Sequence, residues 1–319
     1  MTFPFTGVKA IGWVLPILGF TAGASSGFWG VGGGWIITPA LFILGFPMNV
    51  AVGTSLSFIF SQAIVSGLKH REMGNVNMGI SFLLLLTMLP SLKLGVISVE
   101  WLKKIGKVDR FLGIFYIFYL FVIFLLIFIE SLRAKKLNLE DTQVKKNLFP
   151  IPPYITIQDR KVSLWAPLLT GILSGYFAGI LGIGGGTINF PLMIYVVGLP
   201  TKIAVGTSLF TIILLGAYGT FAHAYTGNVD LLAGWLLLLG GVIGARIGAL
   251  AVRHTTGTNI RLLFSIGVGI TGLAMIFRMV GLPWISFALI MGIATLIVGI
   301  IIYFIIQGKL NERRSEKLG

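Results

Sequence analysis

Two apolar runs as long as a bilayer is thick limit most strongly what this chain can fold into. Phe111 to Ile129 and Ile285 to Ile306 contain no charged residue. Each has about the 20 residues that a helix needs to cross a hydrocarbon core. Only 11% of the 319 residues are charged, whereas a soluble domain has about a quarter. The sequence therefore predicts an all-α polytopic membrane protein embedded in a lipid bilayer.

The charge balance is strongly positive, with 24 basic and 10 acidic residues and a formal net charge of +14. Such a balance is typical of nucleic-acid binding when basic residues form a patch on a soluble surface. Here they lie between apolar runs, which is typical of loops that orient a membrane protein, so no nucleic-acid partner is expected. Because the chain has no cysteine, disulfides and thiolate metal sites are excluded. We expect no metal and no cofactor.

The chain contains one sequence pattern twice. Gly27–Gly34 returns 152 residues later as Gly179–Gly186, and Ala51–Leu56 returns 153 residues later as Ala204–Leu209. The offset of 153 also pairs His70 with His223, Asn75 with Asn228, Asn77 with Asp230, and Lys93 with Arg246. So many special residues in register indicate an internal repeat.

Each copy divides into one glycine-interrupted segment and three full spans. The interrupted segments cover about 10–46 and 164–198, and an extra span without a repeat partner covers about 282–307. The other spans are predicted at about 49–68, 76–98, 108–130, 201–222, 229–252 and 258–278. The predicted domains are a first repeat (1–130), a polar cytoplasmic linker (131–163), a second repeat (164–280), and an extra helix with a basic tail (281–319).

Glycine spacing marks one face of each interrupted segment. Gly19, Gly23 and Gly27 recur every fourth residue, as do Gly171, Gly175 and Gly179. Residues four apart lie on one helix face, where small side chains let another helix approach closely. We therefore predict close helix contacts along both glycine faces.

Loop charges indicate how the interrupted segments sit in the membrane. The pieces on either side of the three successive glycines are about 20–24 Å long, which is short for a ~30 Å hydrocarbon core. If each interrupted segment is a single broken crossing, the loop Lys and Arg residues of the whole chain divide 11 against 11 between the two sides of the membrane. If each segment is a hairpin that enters and leaves on one side, they divide 16 against 6. Because cytoplasmic loops carry the excess of Lys and Arg, we predict hairpins, with the N-terminus outside and the C-terminus cytoplasmic.

Three full crossings per copy would place the second copy upside down relative to the first. Inverted repeats with broken helices are a recurring transporter architecture, and the substrate site lies where the repeats meet. A helix that begins after a glycine break points N–H groups and a positive dipole end into that region, which favours an anion. The predicted anion-binding glycines are Gly32, Gly33, Gly34, Gly184, Gly185 and Gly186. Alternatively, these glycines only permit a tight turn and close packing.

Repeated hydroxyls and cations extend the predicted anion site. Thr54 and Ser55, with their counterparts Thr207 and Ser208, lie about two turns past a proline that suits a helix start. They could donate to an anion, or bond back to a carbonyl of their own helix. Lys93 and Arg246 fall within spans without an obvious carboxylate partner. A cation within a span usually faces a cavity, so we predict substrate contacts; the alternative is snorkelling to the interface.

Histidines and polar residues near the predicted helix ends are candidates for proton coupling or gating. They are His70, Asn75, His223, Asn228 and Asp230. Histidine titrates near neutral pH, but at a helix C-terminus it also favours the dipole. Asn75 and Asn228 are predicted N-caps of the following spans.

An enzymatic function is not expected. Gly23–Gly27 matches the Gly-x-Ser-x-Gly pattern of serine hydrolases, but that motif needs a strand–turn–helix setting and an acid–histidine relay. The repeat places Phe177 opposite Ser25, so the serine is not part of the repeated pattern.

The doubled Gly-Gly-Gly motif, Ala-Val-Gly-Thr-Ser and His-x-x-x-Gly-Asn-Val-Asn/Asp resemble the TauE/SafE sulfite-exporter family of membrane permeases. The resemblance covers about residues 10–280. It implies an inner-membrane transporter of small sulfur-containing anions, such as sulfite or organosulfonates. Together with the residues, it predicts a secondary transporter that exports its substrate by alternating access. The alternative is a cation or metal-ion transporter, which would need buried carboxylates or soft ligands.

Overall fold

The computed structural model describes residues 3, 6–8, 12–136, 151–157 and 160–318. In this part of the chain, seven helices are long and apolar enough to cross a membrane, so the predicted all-α polytopic class is confirmed. The helices are α1 Val14–Trp29, α2 Gly34–Ile43, α3 Met48–Glu72, α4 Met78–Lys104, α5 Val108–Lys136, α6 Trp165–Leu181, α7 Gly186–Tyr195, α8 Thr201–Tyr225, α9 Leu231–Ala251, α10 Gly257–Met279 and α11 Pro283–Leu318.

The predicted polar linker contains ordered structure at both ends. Helix α5 continues to Lys136, and two antiparallel strands, β1 Tyr154–Ile157 and β2 Arg160–Ser163, precede α6. Tyr154 to Ile157 are aromatic or β-branched, as strands favour. Residues 137–150 of the linker lie outside the described part of the chain.

Glycines with positive φ end one short helix and start the next in each interrupted segment. Gly30, with φ of 74°, is the C-cap of α1, and Gly33, with φ of 73°, is the N-cap of α2. Gly182 and Gly185 repeat this geometry between α6 and α7, with φ of 67° and 71°. Side chains disfavour this left-handed region, so the breaks depend on glycine.

The first interrupted segment returns to the end of the bundle from which it started. Before α1, the ring of Phe3 packs 5.1 Å from that of Phe46, which follows α2. At the same end, the Met48 N–H that begins α3 donates to Asp109 Oδ1 at 2.7 Å. Helices α1 and α2 therefore form a hairpin, named here hairpin 1; α6 and α7 form hairpin 2.

Each hairpin packs against a helix of the opposite copy. A Cβ built on Gly19, Gly23 or Gly27 of α1 would lie 1.9–2.2 Å from carbonyl oxygens of α9. On α6, a Cβ at Gly175 or Gly179 would lie 2.2–2.3 Å from carbonyl oxygens of α4. The predicted close contacts along both glycine faces are therefore confirmed. Through them, the hairpin of each copy packs against the other copy, so the hairpins are exchanged between the copies.

Equivalent helices of the two copies pair in opposite directions. In the pair of α3 and α8, Gly53 lies against Asn228, which follows α8, whereas Gly67 lies against Leu209 near its start. In the pair of α5 and α10, Gly113 lies against Met279, at the opposite end of α10 from Gly257, where that helix begins. The two copies therefore have opposite helix directions at their contact.

Filling the glycine face of hairpin 1 is expected to destabilise the fold. A Cβ at Gly23 would lie 2.2 Å from the Gly241 carbonyl oxygen, and this backbone atom cannot rotate away. Gly23→Leu should lower the free energy of unfolding in detergent by about 3 kcal/mol or more, by overpacking. Gly292→Leu is the matched control, because a Cβ at Gly292 on α11 meets nothing within 4 Å. Equal losses in the two variants would contradict this packing.

Candidate functional site

The tips of the two hairpins meet inside the bundle. A Cβ built on Gly34 would lie 2.6 Å from the Gly182 carbonyl oxygen, and one on Gly186 would lie 2.5 Å from that of Val31. All four residues are buried. Each of α2 and α7 therefore begins beside the other hairpin, and a helix start presents backbone N–H groups without intrahelical partners.

The predicted anion-binding glycines lie together at this meeting point. A Cβ on Gly32 would lie 3.1 Å from Ile59 Cγ2 and 3.6 Å from Ile212 Cδ1. One on Gly184 would contact the same two side chains, at 2.9 Å and 3.8 Å. Ile59 and Ile212 are repeat counterparts, so each break faces the same pair of isoleucines from α3 and α8.

Side chains from α3 and α5 hold the break of hairpin 1. The Gln62 amide Nε2 donates to the Gly32 carbonyl at 3.0 Å, and the Tyr116 hydroxyl donates to the Gly34 carbonyl at 3.2 Å. The Thr38 hydroxyl on α2 donates to Ser55 Oγ at 2.8 Å. Ser55 thus lies near the breaks, and its hydroxyl already accepts one hydrogen bond.

The region around hairpin 2 is polar where that around hairpin 1 is aromatic. The hydroxyls of Tyr119 and Thr187 are hydrogen bonded, and the Asn189 amide donates to Thr211 Oγ1 at 3.2 Å. In the other copy, the position of Thr187 is taken by Trp35. The Trp35 ring packs 5.8 Å from Trp29 and 5.6 Å from Phe264. The two hairpins thus share a backbone geometry but are surrounded by different side chains.

Several buried polar atoms near the breaks have no hydrogen-bond partner among the described residues. They are Trp35 Nε1, Gln62 Oε1, Asn189 Oδ1 and Ser208 Oγ. Buried polar groups are nearly always hydrogen bonded, and an unpaired one costs about 1–3 kcal/mol. Of the four, the indole N–H is a donor only and the hydroxyl can donate. These atoms are therefore suited to contacts with a polar ligand.

The structure places Thr54 and Thr207 in a different role from the one predicted. Thr54 Oγ1 accepts a hydrogen bond from the Asp230 N–H at 2.9 Å, and Thr207 Oγ1 accepts one from the Asn77 N–H at 3.0 Å. Asp230 and Asn77 are the N-caps of α9 and α4. Each threonine therefore anchors the start of a helix in the opposite copy.

The N-caps correct the prediction made for Asn75 and Asn228. The caps lie two residues later, where Asn77 Oδ1 accepts from the Ile80 N–H and Asp230 Oδ1 accepts from the Ala233 N–H. The reason is that the chain first turns through Gly-Asn-Val, so the helix begins after the second polar residue. The predicted capping by Asn75 and Asn228 is wrong.

Asn228, which is buried, instead joins a partly exposed polar network at one end of the bundle. Its Nδ2 donates to Glu100 Oε1 at 2.7 Å. Its Oδ1 accepts from Asn49 Nδ2 at 2.7 Å and from Lys103 Nζ at 3.0 Å. This network connects α3 and α4 of the first copy to the loop before α9.

His70 and His223 hold the hairpins through equivalent hydrogen bonds. His70 Nε2 lies 2.9 Å from the Gly27 carbonyl oxygen, and His223 Nε2 lies 3.0 Å from that of Gly179. A carbonyl only accepts, so Nε2 carries the hydrogen in both rings. Gly27 and Gly179 lie in the last turns of α1 and α6, where carbonyls lack intrahelical partners. This geometry favours a structural role over proton coupling.

Lys93 and Arg246 lie away from the breaks. Both side chains are exposed on the outside of the bundle, so the expectation of buried cations that face the substrate is wrong. Arg246 lies close enough to act electrostatically on Glu72, the last residue of α3. The exposure of both side chains agrees with snorkelling, the alternative given above for these two positions.

A buried cation that sequence reasoning treated as a loop charge is Arg261. Its side chain is 1% exposed, and its Nε lies 3.6 Å from Glu130 Oε2. Its Nη1 donates to Thr201 Oγ1 at 2.7 Å, while the Tyr195 hydroxyl donates to Glu130 Oε2 at 2.5 Å. This network, named here the end latch, connects the end of hairpin 2 to α5 and α10. Its hydrogen-bonded pairs are 60 and 65 residues apart in the chain, so no local pattern could reveal it.

Tyr116, Tyr119 and Gln62 also belong to the site but were not predicted. They occur once, and the repeat that singled out the glycines and serines gives no signal for them. Among the described residues, no group of three or more His, Cys, Asp or Glu side chains could hold a metal ion. The geometry therefore offers no argument for the metal-transport alternative.

Two short hairpins that meet tip to tip among seven candidate membrane spans are typical of a membrane transporter. The family model described as "Sulfite exporter TauE/SafE" matches residues 15–275. The chain therefore belongs to the TauE/SafE family, and the resemblance inferred from its motifs is confirmed.

Relatives from bacteria, archaea and plants share parts of the chain. It is 26% identical over 275 residues to the probable membrane transporter protein YunE of Bacillus subtilis, covering 83% of this chain and 97% of that protein. It is 26% identical over 278 residues to the probable membrane transporter protein MJ0441 of Methanocaldococcus jannaschii, covering 82% and 94%. It is 36% identical over 64 residues to the sulfite exporter TauE/SafE family protein 6 of Arabidopsis thaliana, covering 20% and 15%. No solved structure matches.

Proposed function

We propose that the protein is a secondary transporter that exports small sulfur-containing oxyanions, such as sulfite or organosulfonates, across the inner (plasma) membrane. The observation that carries this proposal is the meeting of the hairpin tips. There, Gly34 and Gly186 begin two helices beside buried polar atoms that have no hydrogen-bond partner in the described part of the chain. Helix starts attract anions through their free N–H groups and dipoles.

The bound anion would be held mainly by neutral donors. An oxyanion presents several acceptor oxygens, which suit backbone N–H groups at the starts of α2 and α7. The Trp35 indole N–H and the Ser208 hydroxyl would add side-chain donors, since both are buried and neither has a hydrogen-bond partner within the described ranges. Gln62, Tyr116 and Thr38 would hold the break of hairpin 1 in shape through their hydrogen bonds.

Alternating access would move one copy against the other around this site. The contacts that support it are the opposite helix directions of the copies and the packing of each hairpin on the opposite copy. The end latch of Glu130, Tyr195 and Arg261 would stabilise the conformation in which hairpin 2 is held against α5 and α10. In the topology that we propose, this latch is cytoplasmic and the N-terminus is outside.

Anion flux into proteoliposomes, measured with a panel of oxyanions, tests the substrate class. We expect saturable flux of sulfite or a small organosulfonate and no flux of divalent cations. Flux of divalent cations without any anion flux would contradict the proposal.

Removing the charge of Arg246 is expected to leave transport nearly unchanged. The side chain is exposed on the outside of the bundle, and substitutions at such positions usually change free energies by less than about 0.5 kcal/mol. Anion flux by Arg246→Ala should therefore stay within about twofold of wild type. Lys93→Ala should behave in the same way. Loss of flux in Arg246→Ala, with folded yield preserved, would instead show that Arg246 takes part in anion transport.

A further inference from the structure

A groove between α5 and α10 opens on the outside of the bundle and does not belong to the transport site. Its volume is about 650 Å³. Four aromatic side chains of α5 and two aliphatic side chains of α10 form much of its walls: Phe118, Phe121, Phe124, Phe128, Ile270 and Leu273. The groove therefore offers an apolar surface to a chain-like apolar ligand.

Two glycines leave part of the α10 side of the groove without side chains. Gly269 and Gly272 both line it. A Cβ on Gly269 would lie 2.9 Å from Phe124 Cδ2, so the Phe124 ring occupies the space above the glycine. A Cβ on Gly272 would meet only Leu120 Cβ, at 3.6 Å, which is an ordinary contact. A Cβ at Gly272 would therefore cause no steric clash at the floor of the groove.

The groove has the length of a lipid chain. Its lining on α5 extends from Ile114 to Phe128, which corresponds to about 21 Å at the rise of an α-helix. Half of a hydrocarbon core is about 15 Å thick. An acyl chain of a membrane lipid can therefore lie along the groove over its full depth in one leaflet.

Two lysines continue the groove-lining face of α5 beyond its apolar part. Leu132 follows Phe128 by four positions, and Lys135 and Lys136 follow it by seven and eight. Positions with this spacing lie on one face of a helix. Both lysine side chains are exposed in the last turn of α5. A lipid chain in the groove would thus place its headgroup beside two cations.

We propose that this groove binds an anionic phospholipid, with an acyl chain against the phenylalanines of α5 and the phosphate headgroup at Lys135 and Lys136. Cations at the membrane surface attract anionic lipids by about 1 kcal/mol each. The two lysines give the groove its preference for anionic lipids, because apolar walls alone bind anionic and zwitterionic lipids alike. This site is independent of the proposed substrate.

Lipid binding by the purified full-length protein tests the proposal. Native mass spectrometry during titration with phosphatidylglycerol or phosphatidylcholine should show tighter binding of phosphatidylglycerol. Lys135→Gln/Lys136→Gln should weaken phosphatidylglycerol binding about 30-fold, from roughly fivefold per lysine, and leave phosphatidylcholine binding unchanged. The matched charge control is Lys104→Gln/Lys107→Gln. It removes two exposed cations, one at the C-terminal end of α4 and one in the loop that follows.

A second pair of variants tests the groove without changing charge. Gly272→Leu places a side chain on the groove floor, and Gly299→Leu makes the same change on α11, where a Cβ meets nothing within 4 Å. Only Gly272→Leu should reduce phosphatidylglycerol binding. Equal binding by wild type and both lysine and glycine variants would overturn the proposal. So would a dimer in wild type that Gly272→Leu dissociates, because the groove would then be covered by a second copy of the chain.

Discussion

One methyl group at Gly34 or Gly186 is expected to reduce anion transport about 100-fold. A Cβ at Gly34 would lie 2.6 Å from the Gly182 carbonyl oxygen and 2.8 Å from Ile183 Cα; one at Gly186 would lie 2.5 Å from Val31 Cα. Both glycines begin helices, and neither has a positive φ, so the effect of alanine is steric. Overpacking of this kind forces backbone shifts, and a shift of about 1 Å in a functional site can cost about 100-fold in rate.

The measurement is flux per folded molecule of Gly34→Ala and Gly186→Ala in proteoliposomes. Gly292→Ala and Gly299→Ala add the same methyl group where a Cβ meets nothing within 4 Å, and they should transport like wild type. If Gly34→Ala and Gly186→Ala fold and transport within twofold of wild type, the hairpin tips do not form the substrate site.

Replacing Trp35 with phenylalanine is expected to weaken anion binding about 10- to 100-fold. The substitution keeps most of the ring but removes an N–H that has no partner among the described residues. A donor that binds a charged ligand contributes about 1.5–3 kcal/mol, which gives that range of affinity. The measurement is the Kd for the transported anion in detergent or nanodiscs.

Trp29→Phe is the matched control for Trp35→Phe. The Trp29 Nε1 donates to the Ile260 carbonyl at 2.8 Å, and the two indole rings are neighbours, 5.8 Å apart. Trp29→Phe removes a buried hydrogen bond, so it should lower the free energy of unfolding by about 1 kcal/mol and leave the anion Kd nearly unchanged. The reverse pattern, with the Kd changed only by Trp29→Phe, would exclude Trp35 as a ligand.

The positions of helices could be predicted from the sequence because membrane spans have long apolar stretches and clear breaks. The span predicted at 201–222 is helix Thr201–Tyr225, and Pro200 is its N-cap residue. The doubled glycine pattern likewise predicted both the helix breaks and the close-packed faces. Each of these features follows from local chemistry: apolar length, the fixed φ of proline, and the small size and positive φ of glycine.

Which face of a span points inward could not be predicted in the same way. In water, the polarity of a face distinguishes core from surface, whereas both faces of a membrane helix are apolar. Lys93 and Arg246 therefore stood out as polar residues within spans, although their side chains lie on the outside. Thr54 and Thr207 were recognised as repeated hydroxyls, but their partners Asp230 and Asn77 belong to the other copy. Only the fold brings them together.

The exchange of hairpins between the copies sets an order of events during synthesis. Helix α1 ends at Trp29, but its partner α9 begins only at Leu231. At 5–20 residues per second, a ribosome needs roughly 10–40 s to make the intervening ~200 residues. During this interval, the glycine face of hairpin 1 has not yet been covered by α9. The glycine face of hairpin 2 differs, because its partner α4 is synthesised before it. A chaperone or lipid that covers a glycine face during this interval would act on the first hairpin alone.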